Sequence, residues 1–212
     1  MNQPLTHETK SFFSADKKLL FILLCLSTLL LLYIKVTFIE HQTAAFEFLQ
    51  DRPEGFILRI ISGLKFLSIP FVYLWKVTII AFVVWTGCFM FGYRVTYAQS
   101  WAVVLTAEYI FLIPEVIKIC WFLFFHKDPT YHDIGSFYPL SLIHFVDYDM
   151  MDKRYAYPLR ALNLFEIAYW FVLVEGIHHW ARKDKKYVWI IVACSYILIF
   201  FLWLLFYITV YK

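Results

Sequence analysis

Three charged residues in the middle of an apolar run carry the chemistry of this sequence. In "AEYIFLIPEVIKIC" (residues 107–120), Glu108, Glu115 and Lys118 interrupt a hydrophobic stretch that extends from Trp101 to Phe125. Charge at bilayer depth costs from a few kcal/mol upward, so each such group needs a partner, a water path or a function. Glu108 and Glu115 are seven residues apart. On an unbroken helix that spacing sets them within about 20° of one face and about 10 Å apart along the axis. Lys118 follows Glu115 by three, the spacing of a pair within one helix. Two readings follow: an ion pair plus a glutamate turned toward neighbouring helices, or a polar track for a proton, an ion or a headgroup. Pro114, beside Glu115, frees a carbonyl that water or a neighbour must satisfy.

Two further segments place polar groups in apolar surroundings. In "NLFEIAYWFVLVEGIHH" (163–179), Asn163 lies about one turn before Glu166, and Glu175 projects from the face opposite Glu166. Lys76 stands about one turn inside "FVYLWKVTIIAFVVWTGCFMFGY" (71–93), where its ammonium is expected to snorkel to the headgroups. Glu175, His178 and His179 form a Glu-x-x-His and its neighbour, a pairing that carboxylate-bridged di-iron bundles use. Those bundles need a second copy, and none exists here, so no metal and no cofactor is expected. In the loop, His126, His132, Asp133, His144 and Asp147 are the other potential ligands, read as part of a polar surface cap. There is no G-x-S-x-G, no Gly-rich phosphate loop and no cysteine outside an apolar run, so no catalytic residue is assigned and an enzyme is not expected.

The elements that position these residues are membrane helices. With 62% hydrophobic and 22% aromatic residues and a mean hydropathy of +0.66, the 212-residue chain lies outside the range of soluble domains. The fold class is all-α: a polytopic membrane helix bundle with about five transmembrane helices and one interfacial amphipathic helix. A polar tail, 1–18, precedes a single transmembrane domain, 19–212. Its spans are expected at about 19–39, 71–93, 99–125, 158–180 and 187–211, with an extramembrane loop at 126–157. Between the first two, Phe56, Ile57, Ile60, Ile61, Leu64 and Leu67 recur at helical spacing, the pattern of the interfacial helix. Cys25, Cys88, Cys120 and Cys194 fall one to a span, which excludes a disulfide framework and reads as buried thiols.

The tail and the two short links on its side carry eight Lys/Arg, against seven spread over the longer loops opposite. That density puts the N-terminus in the cytoplasm and the C-terminus outside. No N-x-[ST] sequon occurs, which fits a bacterial inner membrane. The net charge of +3 is scattered, so no nucleic-acid partner is expected. Membrane lipid and other membrane subunits, or further copies of the chain, are the expected partners.

Two passages support a family likeness. In "GYRVTYAQSWAVVLTAEYIFLIP" a short polar link and a Gln near the start of a span are followed by a proline. In "FEIAYWFVLVEGIHHWARKDKKYVWIIVA" an aromatic-rich span, a glycine, a basic link and a last apolar span follow in order. Over about 71–211 the chain resembles the Yip-type integral membrane proteins, a five-span family with a cytosolic N-terminus. The resemblance implies a non-enzymatic role and supplies no catalytic residues. The expected function is a scaffold or accessory subunit of a membrane assembly. The alternatives are a small ion-coupled carrier acting as an oligomer through Glu108, Glu115, Lys118 and Glu166, and a metal-dependent membrane enzyme centred on Glu175 and His178.

Overall fold

The computed structural model describes residues 16–40, 55–125, 130–146, 148, 150–182 and 184–211. These residues are predominantly helical, without a strand; the one extended pairing among them is an isolated bridge between Ser141 and Asn163. Helix α1 is Lys17–Lys35, continued by a π turn at Val36–Glu40, and α2 is Gly55–Met90. Then come α3 (Tyr97–Glu108), a 3-10 turn (Tyr109–Phe111), α4 (Leu112–Phe124) and the short α5 (Tyr131–Ser136). After a 3-10 turn at Leu142–Phe145 follow α6 (Lys153–Ala161), α7 (Leu164–Ala181), α8 (Lys185–Val192), a π turn (Ala193–Ile197) and α9 (Leu198–Val210).

Three stretches are long and apolar enough to cross a membrane: Lys17–Ile39, Gly63–Met90 and Lys185–Val210. Their outward faces suit lipid: in α9, Leu198, Phe201, Leu202, Leu205 and Phe206 are exposed and Leu204 is buried.

Several expectations need correction. The interfacial helix and the second span are one continuous 36-residue helix, with Pro70 inside it. Proline removes one backbone bond, and apolar surroundings on both sides favour keeping the rest of the helix over breaking it. Over the expected span at 99–125 the winding changes: α3 (12 residues) and α4 (13 residues) are joined by the 3-10 turn at Tyr109–Phe111 in a continuous helical run. The expected span at 158–180 begins only at Leu164, because α6 ends at Ala161 and Asn163 occupies the break. Among the cysteines, Cys25 and Cys88 are buried as expected, whereas Cys120 and Cys194 lie on exposed helix surfaces.

Side chains set the helix starts locally. Thr96 accepts the Gln99 amide and Gln99 Oε1 accepts the Thr96 amide, a reciprocal cap that opens α3; Thr130 and Asp133 do the same for α5. Asp152 caps α6 through the Arg154 amide, and that bond, ahead of the Arg154 guanidinium, holds its carboxyl below the usual range.

The chain forms two compact units. One comprises the described residues of Met1–Leu23, Leu74–Ile110 and Leu164–Lys212; the other those of Leu24–Tyr73 and Phe111–Asn163. In the first, α3 packs on α7 and α7 on α8. Its core is read from helical stripes: Val77, Ala81, Val84 and Cys88 on α2, and Tyr169, Leu173 and Ile177 on α7, all fully buried. In the second, Ile39, Ile119, Phe122 and Ile134 form the core, with Leu31, Leu123 and Phe137 packed against them. There the Thr28 and Tyr73 hydroxyls join α1 to α2 at 3.0 Å.

Candidate functional site

The candidate site is a buried polar cluster in the first unit, assembled from α2, the end of α3, α7 and the π turn. Its geometry begins with the α7 stripe. Glu166 precedes Tyr169 by three and Leu173 by seven, so it is carried into the interior with them. The buried Glu166 is stabilised by two donors on one oxygen: Trp170 Nε1 at 3.0 Å, one turn along the same helix, and the Tyr196 hydroxyl at 2.9 Å. Tyr196 belongs to the π turn, whose wider winding aims one side chain where a regular helix would not. Its ring lies 5.3 Å from that of the fully buried Tyr169.

Glu108, the last residue of α3, is fully buried, and its Oε2 accepts from Lys76 Nζ at 2.8 Å. Its Oε1 has no hydrogen-bond partner of ordinary geometry among the described residues. The Tyr169 hydroxyl couples to Glu108, Tyr196 and Glu166, while Lys76 and Glu108 both act electrostatically on Glu166. The Lys76 ammonium thus meets a carboxylate 32 positions away, a partner that local spacing did not name.

The remaining candidates have other roles. Glu115, in the first turn of α4, lies 3.9 Å from Lys35 Nζ, a pair between α4 and α1 instead of the expected pair with Lys118. Lys118 is buried and donates to the carbonyls of Ile134 and Phe137, pinning α5 and the strand-like segment after it. Glu108 ends α3 in the first unit and Glu115 lies in the first turn of α4 in the second, with a 3-10 turn between the two helices. Asn163 caps the end of α6, its amide donating to Arg160 O at 3.1 Å and Ala161 O at 3.0 Å.

Glu175 pairs with Lys185 at 2.6 Å, and the His179 ring packs edge-on against Trp180. Among the described residues, no group of three or more His, Cys, Asp or Glu is gathered closely enough to hold a metal ion. Of the loop candidates, His126, Asp147 and the His132 side chain lie outside the described residues. Asp133 serves the α5 cap, and His144 packs edge-on against Phe137.

Lys118 yields a local prediction. Lys118→Met removes the donor from two carbonyls, and leaving buried acceptors unmet costs about 1–3 kcal/mol each before water reaches them. The expected result is faster proteolysis within residues 130–146 and a global loss of about 1–2 kcal/mol, with Lys118→Arg recovering part of it. Limited chymotryptic digestion, which cuts after aromatic residues such as Tyr131, Phe137 and Phe145, and detergent melting read the two effects; unchanged cleavage in Lys118→Met would show that the clamp is dispensable.

Sequence reasoning named Glu108, Glu166 and Lys76 but not their companions Tyr169, Trp170 and Tyr196. The α7 stripe carries a usable signal for the first two, since Tyr169 shares the buried face and Trp170 follows Glu166 by four. Nothing in the spacing announces the π turn that brings Tyr196 in. No family model, curated protein or solved structure matches the chain, so the reading of this site rests on its own residues.

Proposed function

We propose that this chain is a non-enzymatic multi-pass membrane protein that serves as a scaffold or accessory subunit of a larger membrane assembly. One observation carries the proposal: the charges within its apolar helices meet protein groups on other elements. Lys76 meets Glu108, Lys35 faces Glu115, Lys118 holds loop carbonyls, and Lys185 meets Glu175. Charges matched in this way fix which helices associate and in what register, the best-attested use of buried polar pairs. Five crossings belong to the same proposal, counting the interrupted α3 and α4 as one and α7 as another. So do the Yip-type likeness, a bacterial inner membrane and a cytoplasmic N-terminus.

A second reading, an ion-coupled carrier, is favoured by the two irregular turns that flank the cluster, at Tyr109–Phe111 and Ala193–Ile197. Interrupted helices commonly supply ion sites in carriers. Native mass spectrometry of the protein in mild detergent, with cation flux measured on the same preparation in proteoliposomes, separates the two. A defined larger complex without flux is the expected result. A monomer whose flux disappears in Glu108→Gln would replace the scaffold reading with the carrier.

A further inference from the structure

The first unit has a groove between α2 and the helix formed by α8, the π turn and α9. Its volume is about 250 Å³, and its lining includes Phe82, Thr86, Gly87 and Phe91 on one wall and Cys194 and Ile199 on the other. Gly87 lets the two walls close on each other at Ser195 and Ile191, which leaves a recess beside the contact. The π turn widens the winding of the second wall, where Cys194 is exposed. Both walls belong to stretches long and apolar enough to cross a membrane, Gly63–Met90 and Lys185–Val210. Phe82, Phe91 and Ile199 are exposed at the rim, so in a membrane the groove opens on hydrocarbon.

Helix length sets the depth of each lining group. The 28 residues of Gly63–Met90 extend about 42 Å, which matches the roughly 40–45 Å of a bilayer with its headgroups. Met90 then stands at the outer edge of the headgroup layer, and Thr86, four residues before it, lies about 6 Å inside, at the boundary where phospholipid ester carbonyls sit. Thr86 Oγ1 is buried and has no hydrogen-bond partner of ordinary geometry among the described residues, whereas the Ser195 hydroxyl donates to Ile191 O. A buried hydroxyl is costly until an acceptor meets it, and an ester carbonyl is an acceptor at that depth. Charge selects the headgroup. Arg94 follows Phe91 by three, Arg182 and Lys186 precede the second wall, and all three are exposed. Tyr93, just beyond α2, is near enough to Asp184 and Tyr187 for their charges to act on its hydroxyl, which brings the two links to one end of the groove. In sequence those links carry Arg94, Arg182, Lys183, Lys185 and Lys186 against Asp184, an excess that suits a phosphate even with Lys185 paired to Glu175. We infer that this groove binds one anionic phospholipid: an acyl chain lies along Phe82, Cys194 and Ile199, the Thr86 hydroxyl donates to an ester carbonyl, and the basic links take the phosphate. The site requires these two helices to cross a membrane and does not depend on the accessory role.

Photolabelling of the full chain in phosphatidylcholine nanodiscs tests it, with phosphatidylglycerol carrying a diazirine on one acyl chain as the probe. Peptide mapping is expected to find the label within 82–91 and 194–199, displaced by excess unlabelled phosphatidylglycerol and not by added phosphatidylcholine. Cys194→Phe fills the groove from an exposed position and should abolish that labelling, while Leu198→Phe, exposed on the same helix outside the lining, leaves it unchanged. Arg94→Gln combined with Lys186→Gln should weaken the competition by phosphatidylglycerol about tenfold. Label spread evenly over the exposed faces of all three spans would make the lipid annular only and overturn the site. Equal competition by phosphatidylcholine would overturn the anionic headgroup. A groove closed by a second copy of the chain would leave both walls unlabelled, and the inference would fall. Mapping and competition are read on wild type, so they decide even where a variant fails to fold.

Discussion

Lys76→Met is expected to lower stability by about 2–3 kcal/mol, less than the cost of breaking a fully buried ion pair because the lysine side chain is partly exposed. The reason is asymmetry within the pair. Glu108 is fully buried, whereas the Lys76 side chain is 41% exposed, so losing the lysine strands the partner that cannot reach solvent. SDS-titration unfolding reads the loss. Lys76→Met combined with Glu108→Gln should recover most of the stability, because the stranded charge of Glu108 is then gone. Equal destabilisation by the single and double changes would mean that the lysine stem, and not the ion pair, matters for packing.

The same pair shows what a sequence of this kind does and does not disclose. Composition and run length made the all-helical membrane class legible, because burying backbone polar groups in lipid leaves few alternatives to helices. The depth of Glu108, Glu166 and Lys76 within apolar runs also marked them as groups needing partners. Which partners they find depends on helix phase and on contacts between distant segments, and neither is written in local spacing. The 3-10 turn at Tyr109–Phe111, between Glu108 and Glu115, is one such feature that local spacing does not announce. Pro114, the residue expected to mark a break, lies inside α4, while Pro70 lies within the unbroken α2. Proline forbids one hydrogen bond but does not dictate where a helix ends once neighbours pack on both sides. Asn163 was legible as polar in an apolar setting, but its role at the end of α6 requires knowing that α6 stops there.

A close approach of two helices in the first unit yields the second large effect. A Cβ placed on Gly87 of α2 would lie 2.6 Å from Ser195 Cβ and 2.9 Å from its Oγ, with Ile191 Cγ2 at 3.4 Å. The opposing atom is a Cβ, fixed to the backbone, so no rotamer change can clear it and one helix must move. Overpacking of this kind costs about 1–3 kcal/mol, while replacing glycine by alanine inside a helix returns about 0.5–1 kcal/mol. Sterics therefore win: Gly87→Ala is expected to destabilise by about 1–2 kcal/mol, and Gly87→Val by about 3 kcal/mol. The compensating partner is specific. Ser195→Ala keeps the Cβ that clashes and should not rescue Gly87→Ala. Ser195→Gly removes it, at the cost of the hydroxyl's bond to Ile191 O at 2.7 Å and of helix rigidity in the π turn. A double-mutant cycle isolates the contact from those costs, with an expected favourable coupling of about 1–2 kcal/mol between Gly87→Ala and Ser195→Gly. Because Tyr196 is the next residue, displacing the π turn should also disturb its bond to Glu166. A coupling near zero would show that the contact between Gly87 and Ser195 does not limit the packing of this helix pair.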